Sequence, residues 1–575
     1  MPSGVATMPW KGKTGCCVVA ILAALSACRF DVPARERQHP PGAEHPIPRR
    51  EEYGGLTVLH LYGSYREMGT QAVELLGDTA RRAEYVYYTR WKGLVQRLGT
   101  SGVVADLLWP NLWSWAGRYY EESGFFRELD GVAEGLSIPP ADAVRSFYGG
   151  IFGGGSTAFV ATRRASGGRG AVLGRNVDWS DDQGIRRPVV AYYHPTNGDL
   201  SFISVGWVLS QLAVVGLNEA GLAVSLNFFE ADQQVGRGLP QMMYRRVLQQ
   251  ARDVEEANAM LLGRGNRAGA ALVLLADAQG RTAVWECLPW QCAKYEPGRD
   301  WVGLSNHART EVMVPHDRGR TPDSVRRLAA IEAVVQRHMG AIDPEVASTI
   351  MRDRSNSAYA NDSTVANFRV LNSVVVQPST GTLWHATSVQ PEAPFGEMVP
   401  FSLGGPVQAE PLAADDRFAD GSLEPERRVV EEMREAARLL ASGRIVEACA
   451  IWDRIGEAAE GFVEPHRLLW ARARARWMLE RWDEAEALLD RLQDAAAPID
   501  VTAYGLVALG MVRDRLGRRA EALSTYGRAK AYLREHGEYA QAHLFAPLDP
   551  WIEDGLRTAR RGPIPAMPDL QLIPR

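Results

Sequence analysis

The sequence predicts an α+β protein in which antiparallel sheets are covered by helices, followed by an all-α region built from a repeat. Three observations predict it. From residue 157 onward, short apolar or aromatic runs (Ala158 to Thr162, Ala171 to Val177, Val189 to His194, Leu200 to Val208) are separated by Gly, Asp, Asn and Pro, the pattern of strands and turns. Strands and helices then fall in blocks instead of alternating one by one, which favours antiparallel over βαβ sheets. Finally, Gly443-Arg444-Ile445-Val446-Glu447-Ala448, Glu480-Arg481-Trp482-Asp483-Glu484-Ala485 and Gly517-Arg518-Arg519-Ala520-Glu521-Ala522 start at positions 443, 480 and 517, a spacing of 37 residues.

The elements follow in order. Lys11 and Lys13 precede the apolar stretch Cys16 to Leu25, which is too short to span a bilayer, so residues 1–27 read as a processing segment. Its end, Leu25-Ser26-Ala27-Cys28, resembles a bacterial lipoprotein cleavage box. That resemblance implies a lipidated Cys28, a membrane anchor and a place in the cell envelope; the alternative is a secretory signal with an incidental Cys. Residues 28–53, rich in Pro, Arg, Glu and His up to about residue 50, read as a flexible tether. Residues 54–150 read as mainly helical, with recurrent apolar positions from Arg66 to Leu98. After the first strands come three hairpin signals: Leu212 to Asn227 around Asn218-Glu219-Ala220-Gly221, Ala270 to Leu288 around Asp277-Ala278-Gln279-Gly280, and Val370 to Ala386 around Pro378-Ser379-Thr380-Gly381. Helices are expected over Gln241 to Leu262, Asp323 to His338 and Pro344 to Arg352. The main domain is placed at 54–405, a linker at 406–424, the repeats at 425–540 and a tail at 541–575. The repeats resemble a tetratricopeptide-type array. Such an array implies a groove for a protein partner or a buttress for the main domain.

Composition excludes several classes. A chain of 575 residues with 46% hydrophobic and 23% charged residues can bury a sizeable core, and a net charge of -5 with mixed signs is not a nucleic-acid surface. After loss of the first segment the cysteines are Cys28, Cys287, Cys292 and Cys449, too few for a disulfide framework. Cys287 and Cys292 could pair, but the preferred reading is that they are buried small hydrophobes. The histidines, among them His194, His307, His316 and His385, are scattered without metal-site spacing.

The chemistry concentrates where the helical segment gives way to strands. Ser156 follows Gly153, Gly154 and Gly155 and precedes an apolar run. A serine hydroxyl is a weak nucleophile without a base beside it. Self-cleavage before Ser156 would create one, because a free α-amine has a reference pKa of about 7.7, close to the range that general-base catalysis favours. The glycines would let the backbone adopt the close approach that self-attack requires. Gly154-Gly155-Ser156-Thr157-Ala158 is one residue short of a nucleophile elbow, but that motif needs a helix after the serine, and strands follow here.

Gly155-Ser156-Thr157-Ala158-Phe159, Gly174-Arg175-Asn176-Val177-Asp178-Trp179, Gly216 to Asn227 and Ser305-Asn306-His307 together resemble, in order, the motifs of the penicillin acyltransferase-like N-terminal nucleophile hydrolases, relatives of the bile salt hydrolase and acid ceramidase group. The similarity covers roughly residues 55–400. It implies a four-layer αββα fold, no cofactor, a small-molecule acyl amide or ester substrate, and hydrolysis or acyl transfer. It also implies roles: Ser156 as nucleophile, Asp178 orienting the α-amine, Arg175 contacting the nucleophile region and holding that carboxylate, and Asn227 as oxyanion donor supported by Asn306. Trp179, Phe228 and Arg327 are candidates for substrate binding, with Trp207 and Phe229 beside the two aromatics, and the resemblance also offers Arg327 as an arginine that braces the site from a helix. Paired arginines at a helix start, such as Arg326 and Arg327, are more often solvated. Members of the family usually begin their mature chain with Cys, so Ser156 is a departure. A reading of a different kind is a non-catalytic envelope scaffold that binds a protein through residues 425–540.

Overall fold

The computed structural model describes residues 46–97, 103, 106, 124–151, 154–179, 185–210, 214–232, 240–262, 270–289, 291–296, 298–356, 363–403, 407–458, 463–493, 497–560, 562, 564, 565 and 567. Cys28, Gly153 and the whole 1–27 segment lie outside the described residues. The chain opens with strands β1 (Arg49–Tyr53) and β2 (Leu56–Gly63) and helices α1 (Tyr65–Leu76), α2 (Asp78–Arg97), α3 (Phe125–Leu136) and α4 (Pro140–Ile151). Six strands follow: β3 (Gly154–Ala161), β4 (Val172–Trp179), β5 (Pro188–Pro195), β6 (Phe202–Trp207), β7 (Val215–Asn218) and β8 (Ala223–Phe228). Next come helices α5 (Pro240–Gln250) and α6 (Val254–Leu262), then strands β9 (Ala271–Ala276), β10 (Thr282–Leu288), β11 (Gln291–Lys294) and β12 (Trp301–Leu304). Helices α7 (Pro322–Arg337) and α8 (Pro344–Met351) and strands β13 (Val370–Gln377), β14 (Thr382–Ala386) and β15 (Met398–Ser402) complete the main domain.

The strands form two sheets, one in the order β1-β2-β5-β6-β7-β8-β9-β10-β11 and one in the order β12-β3-β4-β13-β14-β15. Among the described strands every pairing is antiparallel except β2 with β5. Alternation along the strands sorts the core into layers, since successive side chains point to opposite faces. Ala158, Val160, Leu173, Val205, Leu217, Leu274 and Val374 fill the space between the sheets. Their neighbours Phe159, Ala161 and Val172 turn outward onto Ile331, Val334 and Val335 of α7 and Ile350 and Met351 of α8. Beyond the other sheet, Leu59, Leu61, Val224 and Val273 pack against Met68, Tyr87, Phe125, Leu129 and Val132 of α1–α3 and Tyr244 and Val247 of α5. The layers are therefore helix, sheet, sheet, helix. Burying each such aliphatic or aromatic side chain contributes about 1.5–3 kcal/mol, so the sandwich holds itself together without a cross-link framework.

Local chemistry sets the helix starts. Ser64 and Glu67 make a capping box for α1. At α7 the Thr321 hydroxyl accepts from Ser324 N and Pro322 takes the first helical position, where a missing N–H costs nothing.

The structure corrects several expectations. Residues 49–53, read as tether, pair with β2, and the start of the segment read as helical is strand, with Leu56 to Leu61 buried on both faces. Cys287 and Cys292 face each other across the β10–β11 pair and form a disulfide rather than standing as separate hydrophobes. The linker contains a short helix, α9 (Asp416–Ala419), and Leu412 bridges to Met398.

The C-terminal region is three helical hairpins: α10 (Glu424–Ala441) with α11 (Ile445–Ala458), α12 (Pro465–Met478) with α13 (Trp482–Asp490), and α14 (Ile499–Arg515) with α15 (Arg519–Glu535). The repeat in the sequence is the turn between the members of each pair. Gly443, Glu480 and Gly517 all adopt positive φ, at 80°, 57° and 79°. The next residue then closes each turn: Arg444 N to Leu439 O, Arg481 N to Arg476 O and Arg518 N to Arg513 O, at 2.9, 3.0 and 2.9 Å. This is the left-handed helix ending that glycine accepts freely and Glu480 does not. The stretch read as a tail includes α16 (Leu548–Arg557), whose Leu548 and Ile552 are buried in the repeat core.

Candidate active site

Two glycines let the chain enter β3 at close quarters. A Cβ on Gly154 would stand 2.0 Å from Cε3 of Trp179, and one on Gly155 would meet Arg327 Nη1 at 3.0 Å, Asp178 Oδ2 at 3.2 Å and Asn306 Oδ1 at 3.3 Å. The pleat then separates the functional groups. Ser156 shares its face with Ala158 and Val160, so it projects between the sheets, whereas Gly155 faces α7. The register of β3 with β4, Gly155 opposite Asp178 and Ala158 opposite Arg175, puts Arg175 in the layer of Ser156 and Asp178 in the layer of Gly155.

Between the sheets, Arg175 is the organising group. Its Nη2 donates to Ser156 Oγ at 3.0 Å, and its Nη1 donates to Ser225 Oγ at 2.8 Å and to Asn227 Oδ1. Ser225 and Asn227 lie two residues apart on β8 of the facing sheet, hence on one face. The Asn227 amide donates to Ser305 O at 2.9 Å and reaches Ser156 O at 3.4 Å. Burial pushes the Arg175 guanidinium down to about 9, against the pull of Asp178. It is still a cation at neutral pH and is held against the serine hydroxyl.

On the α7 side, Ser156 N donates to Asn306 Oδ1 at 2.8 Å. The same oxygen accepts from Arg327 Nη2 at 2.9 Å, while Arg327 Nη1 pairs with Asp178 Oδ2. Asn306 Nδ2 donates to Phe228 O at 2.6 Å, which fixes the amide's orientation. Ser324, in the first turn of α7, ties this loop down: its hydroxyl accepts from Asn306 N at 3.0 Å and contacts His307 Nδ1 at 2.8 Å and Ser305 Oγ at 3.1 Å. Burial pushes His307 down to about 3, so its imidazole is neutral, and it touches Ser324 rather than Ser156. Among the described residues no imidazole or carboxylate hydrogen-bonds to the Ser156 hydroxyl.

The structure thus brings Ser156, Arg175, Asp178, Asn227, Asn306 and Arg327 together and changes three roles. The carboxylate of Asp178 is held by Arg327, not Arg175. Arg327 is buried rather than solvated, and its contacts are those of the bracing role rather than of a pocket lining. Asn306 holds the Ser156 N–H with its carbonyl, where an oxyanion-supporting amide was expected. Trp179 packs in the core, covered by Gly154, with the rings of Trp207 and Phe228 at 4.8 and 6.2 Å. Phe228 is only half-buried. Asn218 is a structural turn residue, its Oδ1 accepting from Ala220 N and Leu222 N. Sequence reasoning missed Ser225 and Ser324. The two-residue spacing of Ser225 from Asn227 was a usable signal, but nothing local marks Ser324.

Because a side chain on Gly155 points at Arg327, Asp178 and Asn306, Gly155→Val is expected to displace the peptide bond before Ser156 and slow any reaction there by about tenfold to a hundredfold. The rate of appearance of the 156–575 fragment checks this, and an unchanged rate would refute it.

The serine buried between the sheets, with a cation on its oxygen and an Asn–Arg–Asp chain on its nitrogen, adjoins a stretch whose family match defines an N-terminal nucleophile hydrolase or acyltransferase, a class of enzyme that acts on C–N amide bonds. The region responsible is recognisable: residues 165–388 match the family model of acyl-coenzyme A:6-aminopenicillanic acid acyl-transferase. That match includes Arg175, Asp178, Asn227, Asn306 and Arg327 and begins after Ser156. No curated protein matches the chain. Among solved structures, the chain is similar to the N-acylethanolamine-hydrolyzing acid amidase orthologue of Caenorhabditis elegans, with 14% identity and a TM-score of 0.30 over 39% of this chain and 93% of that one. It is also similar to a mutant conjugated bile acid hydrolase from Clostridium perfringens, with 13% identity and a TM-score of 0.30 over 44% of this chain and 99% of that one.

Proposed function

We propose that the chain cleaves itself between Gly155 and Ser156 and that Ser156 then serves as the nucleophile of an amidohydrolase or acyltransferase. The observation that carries this reading is the double hold on one residue: Ser156 N on Asn306 Oδ1 at 2.8 Å and Ser156 Oγ on Arg175 Nη2 at 3.0 Å. Both members of the catalytic pair are placed before either is free to act.

In self-cleavage, Ser156 Oγ attacks the carbonyl carbon of Gly155 and the amide nitrogen leaves as the α-amine, giving an ester. Water then hydrolyses that ester to a Gly155 carboxylate and a free Ser156. In turnover the amine, oriented by Asn306 and Asp178, takes the hydroxyl proton as Oγ attacks an amide or ester substrate, and returns it to the leaving group. Arg175 stabilises charge developing on Oγ, and Asn227 Nδ2 is the donor to the tetrahedral oxyanion. The acyl-serine passes to water or to an amine. The repeats form a tetratricopeptide-like array. Intact and denatured mass spectrometry of the purified protein tests the reading: two pieces are expected, the second starting Ser-Thr-Ala-Phe, and a whole chain inert to serine-directed acylating probes would overturn it.

We also propose, from the Leu25-Ser26-Ala27-Cys28 box alone, that the enzyme is anchored to a bacterial envelope membrane through a lipid on Cys28. Cys28→Ala is expected to move the protein from the membrane fraction to the soluble fraction; no shift would remove the anchor from the proposal.

A further inference from the structure

The repeat region touches the main domain at a place that bears on the site. Three helix starts converge there: Asp323 in the first turn of α7, Arg467 in the first turn of α12 and Asp500 in the first turn of α14. Arg467 Nη2 donates to both oxygens of Asp323 at 3.1 Å, and its Nη1 donates to Asp500 Oδ2 at 2.9 Å. Ser363 Oγ donates to Asp323 as well, at 2.5 Å. All three charged groups are buried. Carboxylates suit the positive end of a helix, and the cation between them lets both stay ionised away from water.

Asp323 lies four residues before Arg327, on the same face of α7 and one turn away. Between them, Ser324 holds Asn306, and Val325 packs against the repeat core. The start of α7 is thus tied to the repeats at Asp323 and Val325, while Arg327 pairs with Asp178 and Ser324 holds Asn306, the partner of the Ser156 nitrogen.

We infer that Arg467 is a positioning residue for this reaction: through Asp323 it fixes the first turn of α7, and so Arg327 and Ser324, at the distance from Ser156 that self-cleavage requires. The inference rests on the reading above. The face of the repeats at α12 and α14 is occupied by the chain's own α7. Without the cation, Asp323 loses its ion pair and keeps Ser363, and the first turn of α7 loses its charged tie to α12 and α14.

The test is the first-order rate of self-cleavage of the full chain, pulse-labelled in cell-free translation, at a temperature where thermal melts show every variant folded. Arg467→Ala is expected to slow cleavage by about tenfold to a hundredfold. Arg467→Lys, which restores one charge contact, should recover to within about threefold. Glu426→Gln serves as the control: it breaks a different contact between the two regions, with Arg354 Nη1 at 2.7 Å, that does not involve α7, and it should cleave at the wild-type rate. In an Asp323→Asn background, itself slowed, adding Arg467→Ala should cost little more, because the two act through one path. Should Arg467→Ala melt too early to assay, Asp323→Asn, which leaves Arg467 with Asp500, carries the test alone. Cleavage at the wild-type rate in Arg467→Ala or Asp323→Asn, no rescue by Lys, or equal slowing in Glu426→Gln would each overturn the inference and leave the proposed function standing. A wild-type chain that stays whole would overturn both.

Discussion

Ser156→Ala is expected to leave the polypeptide whole and to lower any acyl-group chemistry by about ten-thousandfold or more, the cost of removing a nucleophile outright. The substitution should not disturb the fold. It removes one hydroxyl that accepts a single hydrogen bond from Arg175, while Arg175 keeps Ser225 and Asn227. The backbone N–H that donates to Asn306 also remains. Loss of both cleavage and acylation in a chain that still unfolds in one cooperative transition is therefore the expected pattern. A cleaved Ser156→Ala chain would move the scissile bond elsewhere, and a whole but fully active one would mean that a different side chain reacts.

Arg175→Met should produce the second-largest effect. In the wild type one guanidinium serves three acceptors on two sheets, and the planar fork is what allows it. Methionine fills the space but strands the carbonyl of Asn227, which is then free to turn its amide away from Ser156. It also leaves charge on the serine oxygen uncompensated in a buried setting. Removing one preorganised charge-stabilising donor typically costs about a hundredfold to a thousandfold in rate. Arg175→Lys should lie between, since an ammonium can reach the serine or the β8 side but not both. Cleavage rates of freshly made protein, compared with near-ultraviolet circular dichroism as a check on packing, measure this. A methionine variant that cleaves within about threefold of wild type would show that the cation is structural only.

Ser156, Arg175 and Asp178 were legible in the sequence because they sit on two neighbouring strands of one hairpin-like pair, where order along the chain nearly determines position in space. The hairpins and α7 and α8 were legible for the same reason. Arg327 was not. Nothing within its own helix distinguishes it from a solvated arginine, and its burial comes from β4 on one side and a loop at residue 306 on the other. The role of Asn306 was misjudged because an amide offers a donor and an acceptor, and which end faces Ser156 is decided by Phe228 O, far away in sequence. The strand β2 was missed because Thr57 and His60 are buried along with the leucines, so burial on both faces leaves no period of two to read. The disulfide was missed because two cysteines five residues apart meet only if the intervening turn sets them opposite each other, as the β10–β11 register does.

The placement of β2 beside β5 has a consequence for the lifetime of the molecule. The described residues on the amino side of Ser156, with two strands and four helices among them, are built into the body they would be severed from. A single polymer folds once with all its parts tethered, and after the cut the same assembly is held together by contact alone. Dissociation would then become a one-way loss at low concentration, since recovery needs two separate pieces to find each other. The working enzyme would owe its persistence to a high barrier to coming apart rather than to any ability to reassemble.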